Sequence, residues 1–126
     1  MIALVATVDG TFAVDLEDGT VLSADSFDPA PEPVLNLPRL VSAASLGSTV
    51  AAVVATKPPL LLSHDAGATW RAAGRGLPPG RAVAIAEDDP DTMLFAARNR
   101  LYLSRDGGVF WTAVAGDLPE IRHLAL

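Results

Sequence analysis

Short apolar runs alternate with Gly, Pro and Asp along the whole chain, as in IALVATVDGTFAVDLEDG, TVAAVVATKPPLLLSHDAG and TMLFAARNRLYLSRDGG. No segment keeps a helical period for three turns, so the pattern predicts short strands joined by tight turns and an all-β fold. The one long interruption is SFDPAPEPVLNLP, residues 26–38, whose four prolines forbid a central strand. It predicts an extended surface connection inside a single domain.

The stretch SHDAGATW, residues 63–70, returns as SRDGGVFW at residues 104–111, which sets a repeat of 41 residues. A period of that size signals one supersecondary unit per repeat, stacked on its neighbours. A degenerate third copy, DLEDGTVL at residues 15–22, places Asp15, Glu17, Gly19 and Leu22 where the others carry Ser, Asp, Gly and Trp. Around each full copy the chain reads as four strands, A to D. Strand A follows a proline in RLVSAAS, RAVAIAE and IRHLAL, and the motif joins C to D.

The residue types of the motif suit a tight turn. Asp65 and Asp106 can accept backbone N–H bonds, while Gly67 and Gly108 can take positive φ without steric cost. Ser63 and Ser104 can bond across the loop, and Trp70 and Trp111 can fasten the start of strand D by burying a large ring. Thr69 is matched by Phe110, so that position is less strict. Calcium would want about six to eight oxygens, and each copy has one acidic side chain in place, so no metal is expected.

At these residues the chain resembles the Asp-box, or BNR, repeat family, whose pattern S-x-D-x-G-x-T-W is met in full by residues 63–70 and nearly so by 104–111. The resemblance implies a β-propeller of four-stranded antiparallel blades, in which these motifs are structural turns lying away from any active site. It carries little information on function, because one fold hosts many activities.

Counting strands gives the order BCD-ABCD-ABCD-A: blade 1 from residues 2–26 completed by a strand A at 120–126, blade 2 at 39–74 and blade 3 at 81–115. Propellers close with about four to eight blades, so three should not close alone. The expectation is a homodimeric six-bladed propeller. The C-terminal strand, with Ile121, Leu124 and Leu126, would complete the first blade of the other subunit.

Composition narrows the function. The net charge of -6 argues against nucleic acid or an anionic membrane as partner, and the absence of cysteine removes thiolate chemistry. MIALVATVDG lacks the features of a secretory signal, and no stretch approaches the roughly 20 apolar residues of a membrane span, so a cytoplasmic chain is expected. No cofactor is implied. The Arg-triad, Tyr–Glu and Asp constellation that the family resemblance would imply for a sialidase is not recognisable, since Tyr102 is the only tyrosine.

The loops opposite the turns offer Arg81, Arg98 and Arg100 at the channel mouth as donors to a carboxylate or phosphate, with Arg122 and His123 on the strand lining the channel. These residues point to a non-enzymatic scaffold that binds a protein or a small ligand. The alternative is a glycan-binding module or a glycosyl hydrolase-like protein, for which Phe27 is the best aromatic platform.

Overall fold

The computed structural model describes residues 1–126, apart from the side chain of Ala115. Among the described residues the strands are β1 (Ile2–Thr7), β2 (Gly10–Asp15), β3 (Val21–Ala24), β4 (Leu40–Leu46), β5 (Thr49–Val54), β6 (Leu60–Ser63), β7 (Arg71–Ala73), β8 (Ala82–Ala86), β9 (Asp89–Ala96), β10 (Leu101–Ser104), β11 (Thr112–Ala115) and β12 (Ile121–Ala125). They form three four-stranded antiparallel sheets: sheet I in the order β12-β1-β2-β3, sheet II in the order β4-β5-β6-β7 and sheet III in the order β8-β9-β10-β11. None of the described residues forms a helix long and apolar enough to cross a membrane.

Strands buried on both faces read as unbroken apolar runs, as β5 and β8 do. Sheet III is the middle layer. Ala51, Val53, Leu60 and Leu62 of sheet II pack on Val83, Ile85, Met93 and Phe95 of sheet III. The other face of sheet III, with Leu94, Leu101 and Leu103, packs on Ala3, Val5 and Val14 of sheet I. Phe95 is fully buried, and its ring meets those of Tyr102 and Trp111 edge-on at centroid distances of 6.2 and 6.1 Å.

The strand count places Ile121, Leu124 and Leu126 on a partner chain; in the structure β12 pairs with β1 of its own chain. In β12, Leu124 lies opposite Val5 and Ile121 opposite Thr7 of β1. Ile121 and Leu124 are buried against sheet III, with Leu126 packed at the edge of the same core. The connection lengths explain this closure. Eight residues join β7 to β8 and five join β11 to β12, but fifteen separate β3 from β4. Fifteen extended residues reach roughly 50 Å, enough to return from sheet I, beyond sheet III, to sheet II. With that strap in place, the strand leaving sheet III finds β1 of its own chain at a far higher effective concentration than that of a second molecule.

The third turn also differs from its expected register. In β2–β3, Val14 is opposite Val21. In the other two hairpins the pairs Leu62–Arg71 and Leu103–Thr112 put Ser63 and Ser104 one step further on, opposite Trp70 and Trp111. Val14 and Val21 therefore hold the Ser and Trp places, and Leu16, buried at 5% exposure, holds the Asp place assigned to Glu17. A one-residue slip turns every side chain to the opposite face, and burial of Val14 and Leu16 selects this register.

Gly80 marks how tightly sheets II and III are joined: a Cβ there would lie 2.5 Å from Phe95 Cε2 and 2.7 Å from Val53 Cγ1. Overpacking of this kind costs about 1–3 kcal/mol, so Gly80→Ala is expected to lower the unfolding free energy by that amount in a urea titration. An unchanged midpoint would show that the junction has room to give.

Candidate functional site

Each full copy of the motif folds into a closed hydrogen-bond network. Ser63 Oγ donates to Asp65 Oδ1 at 2.7 Å and accepts from Gly67 N at 2.8 Å. Asp65 also accepts from the Thr69 backbone N–H at 2.9 Å and from the Thr69 hydroxyl. The second copy repeats the plan, with Ser104 Oγ to Asp106 Oδ1 at 2.8 Å, Gly108 N to Ser104 Oγ at 2.9 Å and Phe110 N to Asp106 Oδ1 at 3.0 Å. Gly67 and Gly108 sit at φ of 92° and 89°, in the region where a side chain is strained. The Thr69 hydroxyl and N–H, then the Ser63 hydroxyl, pull the Asp65 carboxyl down from its ordinary 3.8 to about 2. Asp106 is lowered as well, first by the Phe110 N–H and then by the Ser104 hydroxyl. Both oxygens of Asp65 are engaged within its loop, whereas the bonds to Asp106 all fall on Oδ1.

The degenerate copy is wired differently. Asp15 Oδ1 accepts from Glu17 N at 2.8 Å, and Asp18 Oδ1 accepts from Thr20 N at 2.9 Å. Glu17 points away and pairs with Arg105 of sheet III at 2.8 Å.

At the opposite end the structure gathers three of the arginines named from sequence. Arg81, Arg98 and Arg100 surround a cleft of about 490 Å³ together with Pro78, Pro79 and Tyr102. The position follows from the backbone: Arg81 immediately precedes β8, while Arg98 and Arg100 occupy the β9–β10 loop, whose carbonyls at Arg98 and Asn99 accept from Ile121 N and Leu118 N. Sheet I thus holds that loop in place. Glu120 Oε1 lies 2.9 Å from Arg81 and 3.7 Å from Arg98, whereas Arg100 has no ion pair among the described residues. The turn into β12 is what brings Glu120 to the arginines.

Arg122 and His123 do not join this cleft. Arg122 is exposed beside Arg81 and Glu120 in a shallower depression that also contains Val8 and Val41. His123 is half-buried, with Phe27 edge-on to its ring at 5.1 Å and its Nε2 buried without a hydrogen-bond partner. Phe27 itself is half-buried.

A second cleft, about 510 Å³, lies where the inner strands β4, β8 and β12 converge, and residues 29–32 of the strap line it. Glu32 anchors the strap there, accepting from Ser42 Oγ at 2.7 Å and Ala43 N at 3.2 Å. No group of three or more acidic or histidine side chains among the described residues is placed to hold a metal ion.

No protein-family model matches the chain, and no curated protein matches it. Its fold is similar to solved structures of two β-propeller proteins. One is the GH74 enzyme of Niastella koreensis, at a TM-score of 0.52 and 24% identity over 89% of this chain and 17% of that one. The other is YCF48 bound to D1 peptide, at a TM-score of 0.53 and 17% identity over 88% of this chain and 38% of that one. The chain spans well under two thirds of either protein, and the likeness establishes a propeller fold.

The carboxylate of Asp65 stabilises its turn only when ionised. With its pKa depressed, this stabilisation is complete above about pH 4 and disappears as pH falls through about 2. Acid unfolding followed by circular dichroism should therefore show a smaller loss of stability between pH 4 and 2 in Asp65→Asn than in the parent chain; identical slopes would disprove the coupling.

Proposed function

We propose that the chain is a non-enzymatic β-propeller scaffold that binds a carboxylate-bearing peptide segment at Arg81, Arg98 and Arg100. The observation that carries this reading is the cleft formed by those arginines with Tyr102 and two prolines. Guanidinium groups offer planar, paired donors that match a carboxylate, and the prolines and the tyrosine ring supply apolar surface for the residue beside it. Glu120 already demonstrates the chemistry by setting its own carboxylate on Arg81 and near Arg98. The fold likeness to YCF48, solved with a peptide bound, is in keeping with this role. Two chains of three blades each would together supply six, within the range that closes.

The alternative, a glycan-binding or glycosyl hydrolase-like protein, rests on the resemblance of the repeats and on the fold of the GH74 enzyme. Its aromatic platform would be Phe27, which is half-buried beside His123.

Fluorescence anisotropy with a labelled Glu-rich peptide tests the first reading. Charge-assisted hydrogen bonds contribute about 1.5–3 kcal/mol, so Arg98→Ala combined with Arg100→Ala should weaken binding at least about tenfold. Glu120→Gln, which frees Arg81, should tighten it. Binding that ignores both changes, or none up to millimolar peptide, overturns the assignment.

A further inference from the structure

The two junctions between sheets follow one rule. The face that carries Val53 and Leu62 in sheet II packs on the opposite face of sheet III, and the equivalent face of sheet III, with Leu94 and Leu103, packs on the opposite face of sheet I. Register places Leu4 and Ala13, which lie opposite each other on β1 and β2, at the same positions in sheet I. That face has no sheet against it. It carries Leu22 at 65% and Ile2 at 54% exposure, with Leu4, Ala6 and Ala13 half-buried.

Sheet II has the complementary vacancy. Val50 and Ala52 hold the places of Met93 and Phe95 in sheet III, the residues that receive a neighbour. They belong to neither core cluster, yet they are 4% and 0% exposed. The strap is the segment tied down beside them. Glu32 bonds β4, and half-buried Pro33, Leu35 and Leu37 alternate with exposed Val34 and Asn36.

The turns obey the same rule. Gly108 sits so close to Leu62 of sheet II that a Cβ would come within 2.6 Å, and Arg71 donates to the Gly107 carbonyl at 3.2 Å. Gly19 of sheet I packs on Val114 of sheet III with similar closeness. The turn of sheet II, with Ala66 and Gly67, has no preceding sheet to rest on; Gly67 meets only its own Trp70.

We propose that the open face of sheet I receives sheet II of a second copy of this chain, and that residues 25–39 are a strap holding that place in the single chain. The proposal deepens the scaffold reading above. It needs no exchange of strands, because each chain completes its own blades, and a two-fold axis forms both junctions at once. The occupant is set by complementarity: the open face repeats the pattern that sheets II and III already offer their successors, and the waiting turn repeats the one that covers Leu62. Ala13 and Leu22 stand where Leu62 and Arg71 stand in sheet II, so Leu22 should face Ala66 of the partner subunit.

The test is a double variant, Leu22→Cys with Ala66→Cys, oxidised with diamide and run on a non-reducing gel beside each single variant. The expected result is a species of twice the 13.0 kDa chain mass in the double variant only. Glu32→Ala, which releases the strap, should increase its yield several-fold, and light scattering of the parent chain should show the same doubling at high concentration. A monomer in every case, with or without Glu32→Ala, overturns the proposal. Leu22→Asp should abolish the doubling while leaving Glu-rich peptide affinity unchanged, so loss of pairing and loss of peptide binding are read separately.

Discussion

The antiparallel pairing of β12 with β1 is the constraint on which the rest of the molecule depends. It makes sheet I four strands wide, covers the inner edge of β1 and lays Ile121 and Leu124 on the core shared with sheet III. It also fixes the order of the layers. Once the strand that leaves sheet III is committed to β1, sheet I must lie beyond sheet III, and the chain must travel back to start sheet II. The fifteen-residue strap is the consequence. The prolines of that strap suit the task, since an extended segment that donates few backbone hydrogen bonds can cross other strands without seeking to pair with them.

Placement of the arginine cleft follows from the same pairing. Glu120 precedes β12, and the loop bearing Arg98 and Arg100 is bonded by Leu118 and Ile121. One short connection therefore supplies both the backbone donors that shape the loop and the carboxylate that moderates its charge. The turns at the other end are built the opposite way, from residues local in sequence whose carboxylates accept from their own loops. One end is thus locally determined, and the other is assembled from three separate parts of the chain.

Much of the architecture was legible in the sequence because β structure leaves local marks. Ser, Asp, Gly and Trp at fixed spacing announced two hairpins, and prolines announced where inner strands begin. Three four-stranded sheets followed from these marks alone. Two features were not legible for physical reasons. The register of the β2–β3 turn depends on which of Asp15 or Val14 is buried, and the acidic residues around Leu16 imitate the motif one place out of step. Whether Ile121 and Leu124 meet their own β1 or another molecule's is a question of reach, which no local pattern encodes. The gathering of Arg81, Arg98 and Arg100 was visible as shared loop placement, but the arrival of Glu120 beside them was not, because it depends on where β12 docks. His123 was placed along the channel by alternation, while its contact with Phe27 required the path of the strap.

The β1–β12 ladder joins strands that lie more than a hundred residues apart. During N-to-C synthesis on the ribosome, β1 emerges early with one edge unpaired and must wait until the final strand of the set has left the exit tunnel. Sheets II and III complete their own hairpins in that interval, but sheet I stays three strands wide and can be finished only after release of β12. Pairing across such separation is slow relative to local hairpins. Among the twelve described strands, the joining of β1 to β12 is thus the last pairing that becomes possible.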